Sequence, residues 1–329
     1  MKGSRKKLTR YYSPRVTLAA VGMKIGSLKL LDPVKKKVVI LQKSIRHTPA
    51  QKLTDAFIAI LAGARGLAEI NTRVRGDEAL QRAFGRKSCA DQSVVQETLN
   101  SCTALHIQQM WQALNAIFRQ YCAAYRHTYE ESLQLLDVDM TEMPCGPNQE
   151  GSRKGYFGEN NIRYGRQLGR VIATHYEDLV VDQLFTGEVQ LTTALQPLVL
   201  AAEETLGLYE GKRCRTVIRV DAGGGSLDNV NWCLGRGYHF HGKSFSSHRA
   251  EALGATVEQW FTDRQKPDRQ VGWSTVDEPD YVRPVRRLAL RWRKKHGEWR
   301  YAVLLSTLTP RDVINLLRPQ QIAVGVEKL

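Results

Sequence analysis

Two aspartates, each at the end of an apolar segment, constrain the fold of this chain more than any other feature of its sequence. Asp139 lies near the end of residues 135–141, and Asp221 ends residues 216–221. Short apolar runs of this kind predict buried β-strands. A carboxylate is costly to bury unless it is hydrogen-bonded, paired or bound to a cation. If the two strands are neighbours, these carboxylates predict a cation site.

The charge of the chain indicates the kind of partner. Its 329 residues carry a formal net charge of +15 at pH 7. Such an excess of Lys and Arg favours a polyanion, and we predict double-stranded DNA. No segment approaches the roughly 18 apolar residues of a membrane helix, and residues 16–23 lack the apolar core of a signal peptide.

The six cysteines argue against a structural zinc site, because no Cys-x-x-Cys pair occurs among them. Their wide scatter favours reduced thiols. Together with the missing membrane and export signals, this predicts a cytoplasmic protein.

Changes in composition and periodicity predict five regions. Helical periodicity, with Thr48 as a cap and Pro49 at the first helical position, indicates small helices that we expect to bind DNA. The predicted regions are a basic arm (1–47), a helical domain (48–130), an α/β core (131–245), a helix with a β-rich insertion (246–310) and a tail (311–329).

The core predicts a mixed sheet with helices on both faces, because its elements read β, β, β, α, β, α, β. Asp139 falls on the first strand and Asp221 on the fourth. Carboxylate oxygens suit Mg²⁺ or Mn²⁺, and two such ions about 3.5–4 Å apart support phosphoryl transfer. Asp137 shares a face with Asp139 and is an alternative or supporting ligand. Each aspartate is also a residue type that caps turns, which is the structural alternative.

Two further motifs near Asp221 have structural and functional interpretations. The run Ala222–Ser226 contains three glycines after a strand, but the dinucleotide fingerprint needs a further glycine where Asp228 stands. His239 and His241 share a strand face without a third ligand at suitable spacing, which favours ordinary strand histidines over a metal pair. Lys243 is predicted to contact phosphate.

Residues 287–306 predict a β-hairpin, because apolar and basic residues alternate on either side of a turn at 294–297. A two-stranded ribbon can enter a DNA groove, and arginine suits phosphate and guanine. A solvated outer face is the alternative. The cations predicted to contact DNA are Arg286, Arg287, Arg291, Arg293, Lys294 and Lys295.

These segments resemble bacterial insertion-sequence transposases of the DDE class. Residues 136–142 resemble their first catalytic strand, and residues 217–223 resemble the second. Residues 281–287 and 301–308 resemble the β-rich insertion that many of these enzymes carry between the second and third acids. The likeness extends from about residue 50 to 310.

The resemblance implies an RNase H-like core that performs cut-and-paste transposition with Mg²⁺ or Mn²⁺ held by Asp139 and Asp221. Water would hydrolyse the phosphodiester at an element's end, and the freed 3′-hydroxyl would attack target DNA. A homodimer is expected, because two element ends must be brought together. A bacterial cytosolic location is also implied.

The C-terminal residues depart from this family pattern. The family places its third acid on a helix after the insertion, within a tyrosine–arginine–glutamate–lysine pattern. In residues 315–329 the only acid is Glu327, and Pro319 and Gly325 disfavour a continuous helix. Glu327 is therefore the one candidate for the third acid, and we expect a truncated copy. The alternative is a non-catalytic, sequence-dependent DNA-binding protein derived from a transposase.

Overall fold

A computed structural model describes residues 11–43, 46–157, 162–244, 247–263, 266–274, 280–294 and 297–309. The chain divides into two units, Met1–Tyr121 and Cys122–Leu329. Glu327 and Lys295, both predicted functional residues, lie outside the described part of the chain. No helix within it is long and apolar enough to cross a membrane.

The first unit is helical. Several of its helices, short ones included, contribute to a buried core that includes Ile58, Ile70 and Leu80. The helices are α1 (Val16–Ser27), α2 (Asp32–Lys37), α3 (Pro49–Leu61), α4 (Ile70–Arg73), α5 (Glu78–Ala83), α6 (Gln92–Asn100) and α7 (Ala104–Tyr121).

Local capping explains where α3 begins. The Thr48 hydroxyl accepts the Gln51 N–H, and the Gln51 side chain accepts the Thr48 N–H in return. This confirms the helix start predicted from Thr48 and Pro49. Within the predicted basic arm, residues 38–41 form neither helix nor strand.

A buried ion pair joins two parts of this unit. The Asp55 carboxylate is fully buried and accepts two hydrogen bonds from Arg86, at 2.7 and 2.9 Å. It also accepts the backbone N–H of Ala90 at 2.8 Å. Three donors compensate the cost of removing this carboxylate from water.

The second unit is built on one mixed sheet. Its strands are β1 (Gln134–Pro144), β2 (Arg153–Tyr156), β3 (Ile162–Ala173), β4 (Asp178–Thr186), β5 (Thr216–Val220), β6 (His239–Lys243), β7 (Phe261–Thr262), β8 (Arg269–Trp273), β9 (Arg286–Arg293) and β10 (Trp299–Ser306). Its helices are α8 (Leu191–Leu206), α9 (Glu210–Arg213), α10 (Leu227–Gly235) and α11 (Ser247–Gly254).

The sheet runs β2-β3-β1-β5-β6-β10-β9-β8-β7, and β4 pairs with β3. Strands β1, β5 and β6 are parallel to one another. The β3 strand is antiparallel to its neighbours β1, β2 and β4, and β10 is antiparallel to β6 and β9. The mixed α/β architecture predicted from the sequence is therefore present.

Helix α8 covers one face of this sheet, where Leu136 and Val138 are buried. Its Leu198 lies so close to the strand that a Cβ at Gly169 would be 2.7 Å from Leu198 Cδ1. Side chains alternate across a strand, so Asp137 and Asp139 belong to the opposite face. Because α8 covers the apolar face, it leaves the carboxylate face available for chemistry.

Two features of the second unit are set by contacts with neighbouring elements. The helix at the start of the predicted region 246–310, α11, ends at Gly254, where a Cβ would meet the Tyr301 ring at 2.5 Å. Strand β2 pairs with an extension of β3 that is poor in apolar residues. Backbone pairing with neighbours, rather than side-chain pattern, forms these strands.

The Asp55–Arg86 pair predicts a large stability effect in the first unit. Asp55→Ala leaves the guanidinium buried without its carboxylate and should lower the free energy of unfolding by about 3–5 kcal/mol. Urea unfolding followed by far-UV circular dichroism measures this. Glu78→Ala, which breaks the exposed pair with Arg82, is the control and should change little. Equal effects of the two changes would contradict the assigned role of burial.

Candidate active site

The register of β1 and β5 brings Asp139 and Asp221 together. Val138 pairs with Val220 as the last aligned position of these parallel strands, and each aspartate follows by one residue. Neighbouring strands lie about 4.8 Å apart, so the two residues are side by side. The carboxyl ends of parallel strands are where ligands of open α/β sheets bind. The adjacency that a shared cation site requires is therefore present.

Backbone N–H groups orient both carboxylates. Asp139 Oδ1 accepts the N–H of Met140 at 2.7 Å, and Asp221 Oδ1 accepts the N–H of Gly223 at 2.8 Å. Both side chains are exposed. The bond to Gly223 is also the turn-capping contact that the structural alternative predicts. A capped carboxylate has a fixed orientation, so the turn role and a ligand role are compatible.

Asp137, the alternative ligand, is already occupied. It forms a bidentate pair with its cross-strand partner Arg219, whose Nη2 lies 2.5 Å from Asp137 Oδ2. On the other side of Arg219 lies His241, its register partner on β6. This row of the sheet face is therefore charge-compensated by its own residues.

The row that contains Asp139 and Asp221 is different. Arg170 on β3 is the cross-strand partner of Asp139 and lies 3.6 Å from Asp182 of β4. Lys243 is one residue beyond Gly242, the partner of Val220, and is exposed. The row thus reads Asp182, Arg170, Asp139, Asp221, Lys243. Two like charges side by side destabilise a sheet, and a bound cation would relieve their repulsion.

The three glycines after Asp221 have a structural explanation. A Cβ at Gly225 would lie 1.9 Å from the carbonyl oxygen of Lys243, and one at Gly224 would lie 2.8 Å from Val220 Cβ. Ser226 then caps α10 by accepting the N–H of Asn229. The glycines let the loop pass close to the ends of β5 and β6, which holds Asp221 in place.

Hydroxyl groups at the end of β10 and directly after it lie within hydrogen-bonding distance of the two histidines of β6. His239 Nδ1 lies 3.3 Å from Thr307 Oγ1, and His241 Nδ1 lies 3.1 Å from Ser306 Oγ. Burial, and then the nearby Arg219 charge, lowers the pKa of His241, while Asp137 opposes this shift. Among the described residues, no group of three or more His, Cys, Asp or Glu side chains is arranged to hold a metal ion.

Two of the hairpin arginines predicted to contact DNA are engaged within the protein itself. Arg287 is buried, and Arg291 is sandwiched between the rings of Trp260 at 4.1 Å and Trp299 at 4.6 Å. The Arg291 Nε also donates to Gln270 at 2.7 Å. These two guanidinium groups therefore contribute to packing within the β-rich region.

The remaining described cations of the hairpin are exposed. Arg286 lies at the start of β9, and Arg293 stacks 4.7 Å over Trp299 at the other end. Lys294 pairs with Glu298 at 3.0 Å. With Lys243, these side chains are accessible to a polyanion, and their contact with DNA stays a prediction.

Arg170 was not among the residues identified from the sequence. Its position beside Asp139 follows from the β1–β3 register, which no local pattern in the sequence reveals.

No family model and no curated protein matches this sequence. Among solved structures, a cryo-EM structure of the piggyBac transposase synaptic complex with hairpin DNA aligns with 91% of this chain at 14% identity and a TM-score of 0.44. This chain covers 64% of that protein's length. A second alignment, with a crystal structure of a pre-cleavage Mos1 transpososome, covers 64% of this chain and 72% of the Mos1 chain. Its sequence identity is 11% and its TM-score is 0.19. Both likenesses are too weak to assign a family or an activity.

The close approach at Gly225 predicts a stability effect. Gly225→Ala forces the loop after Asp221 away from β6 and should lower the free energy of unfolding of the second unit by about 1–3 kcal/mol. Thermal or urea unfolding measures this. Gly235→Ala, at the end of α10 with no atom within 4 Å of the added Cβ, is the matched control and should not destabilise. Equal losses for both variants would refute the proposed steric role.

The lowered pKa of His241 predicts a pH dependence. In the unfolded chain His241 takes up its proton near its ordinary pKa of 6.5, but in the fold it does so only at lower pH. Its contribution to stability is therefore complete above about pH 6.5 and is lost as the pH falls below that value. His241→Gln should reduce the difference in unfolding free energy between pH 7.5 and pH 5.5. An unchanged difference in this variant would contradict the assignment.

Proposed function

We propose that this chain is a DDE-class transposase in which Asp139 and Asp221 bind Mg²⁺ or Mn²⁺ for cleavage and joining of DNA strands. The observation that carries the proposal is the β1–β5 register, which puts two oriented carboxylates side by side. Their hard oxygen donors suit these ions, and their mutual repulsion favours a cation. The net charge of +15 fits a nucleic-acid substrate.

The residues of the site have distinct roles in this proposal. Asp139 and Asp221 would hold the cation, and the N–H groups of Met140 and Gly223 fix the orientation of the two carboxylates. The chemistry that the cation would supply is polarisation of the phosphoryl oxygens and activation of a water or hydroxyl nucleophile. Arg170 and Lys243 flank the carboxylates and are placed to attract phosphate oxygens.

The arrangement of the sheet supports the same interpretation. The antiparallel strands β4, β3 and β1 continue into the parallel strands β5 and β6, and helices α8 and α10 lie between strands in sequence. This arrangement fits an RNase H-like core. Cut-and-paste transposition by a homodimer that joins two DNA ends in the bacterial cytosol completes the proposal. Glu327 as third acid stays a prediction.

A second candidate is a non-catalytic, sequence-dependent DNA-binding protein derived from such an enzyme. The observation that favours it is the lack, within the described residues, of a group of three acidic, histidine or cysteine side chains suited to a metal. Two carboxylates leave most of the octahedral shell of Mg²⁺ to water and to substrate phosphates, so the protein alone would hold this ion weakly.

Substitution of either aspartate separates these candidates. Asp139→Asn and Asp221→Asn should each lower Mg²⁺- or Mn²⁺-dependent nicking of supercoiled plasmid DNA by more than about 100-fold, because each removes a metal ligand. Asp182→Asn is the matched control, since it changes an exposed carboxylate on the same sheet face. It should retain nicking within a few-fold of the unsubstituted protein.

Isothermal titration with MnCl₂ on the same proteins gives the second readout. Nicking and Mn²⁺ binding that survive both substitutions would refute the metal site. Tight, salt-dependent DNA binding without any metal-dependent nicking by the unsubstituted chain would identify the second candidate instead.

A further inference from the structure

The carboxylate face of the sheet continues well past Asp139. Beyond the Asp139–Arg170 pair, Met143 pairs with Arg166, and β3 then exchanges β4 for β2 on one edge while β1 remains on the other edge as far as Gly165. Because side chains alternate along a strand, Arg170, Arg166 and Tyr164 all lie on the face of Asp139. We call this extension of the sheet the β-ribbon.

Strand β2 adds two residues to the same face. Lys154 is the cross-strand partner of Tyr164, and Tyr156 is the partner of Ile162. The basic and aromatic residues on this face, here called the ribbon track, are Arg170, Arg166, Tyr164, Lys154 and Tyr156; Leu168 lies on the same face between the two arginines. At about 3.4 Å per residue, the six steps from Arg170 to Tyr164 extend about 20 Å away from the carboxylates.

The ribbon track exposes both aromatic rings and positive charge. Tyr156 is 54% exposed and Tyr164 is 39% exposed. The Lys154 ammonium lies 5.6 Å from the centre of the Tyr164 ring, so a cation and an aromatic surface occupy one position. Arg166 is partly buried, and its Nε has no hydrogen-bond partner among the described atoms.

The opposite face of the β-ribbon carries positive charge without exposed aromatic rings, so it provides a control surface. Arg153 and Arg163 are exposed there, so it also carries positive charge. The cross-strand partners of these arginines are Gly165 and Gly155, and the aromatic ring that packs over both glycines, that of Phe157, is buried. The combination of cations with exposed rings is thus confined, within the described β-ribbon, to the face that leads to Asp139 and Asp221.

We propose that the ribbon track binds a single-stranded DNA segment that leads away from the carboxylate pair. Unpaired bases stack on Tyr164 and Tyr156, while Lys154, Arg166 and Arg170 contact the phosphates. Grooves that bind single strands combine these two features, and aromatic stacking requires bases that are not enclosed in a duplex. Only the assignment of the carboxylate pair as the reaction site rests on the proposed function.

Fluorescence anisotropy with the full chain in EDTA tests binding without cleavage. The probes are a labelled 20-nucleotide single strand and the duplex of the same sequence. The double variant Lys154→Gln/Arg166→Gln should reduce the slope of log K against log salt by about 1.4 for the single strand, or about 0.7 for each phosphate that is no longer neutralised. The matched control, Arg153→Gln/Arg163→Gln, removes the same charge from the opposite face and should leave the slope nearly unchanged.

The tyrosines provide an independent readout. Tyr164→Leu should weaken single-strand binding about fivefold or more, whereas Tyr164→Phe keeps the ring and should bind like the unsubstituted chain. Duplex affinity should change less than single-strand affinity in Tyr164→Leu. Thermal unfolding of each variant verifies that the fold is intact.

The inference is overturned if the two double variants reduce the slope equally, or if Tyr164→Leu weakens both probes equally. Because EDTA removes the metal, a failure of plasmid nicking leaves these results unaffected. Face-specific single-strand binding in a protein that cannot nick DNA would retain the ribbon track and reject the transposase activity. Nicking without face-specific binding would retain the transposase activity and reject the ribbon track.

Discussion

The parallel pairing of β1 with β5 is the constraint on which the candidate site depends. It aligns Val138 with Val220, and so places two aspartates from distant parts of the sequence next to each other. Helix α8 packs on the opposite face of the same sheet, where Leu136 and Val138 of β1 are buried. A shift of β5 by one residue would turn Asp221 towards that apolar face, so burial there fixes the register and hence the site.

Charge on the carboxylate face is arranged in two unlike rows. In one, Arg219 neutralises Asp137, and burial and then the arginine beside it lower the pKa of His241. In the other, Asp139 and Asp221 are direct neighbours, with cations on either side. An internal ion pair explains the first row completely. The second keeps two adjacent negative charges at an exposed edge, which is why the proposed metal belongs there and not at Asp137.

Local patterns in the sequence predicted the elements that bury an apolar stripe, such as α8 and the strand that ends at Asp221. They could not predict β2 or the full length of β3, because backbone pairing rather than apolar burial forms those strands. The alternation of the hairpin correctly separated Arg287 and Arg291 from the leucines. It could not show that Trp260, from a distant segment, stacks on Arg291.

The central claim is that Asp139 and Asp221 share a divalent cation. Anomalous diffraction from crystals of the full chain grown with MnCl₂ tests it most directly, because it locates manganese without reference to activity. A shared cation predicts an anomalous peak within about 2.0–2.4 Å of oxygens from both aspartates, the range of hard-cation coordination distances. Manganese bound elsewhere on the protein, with no peak between these two carboxylates, would contradict it.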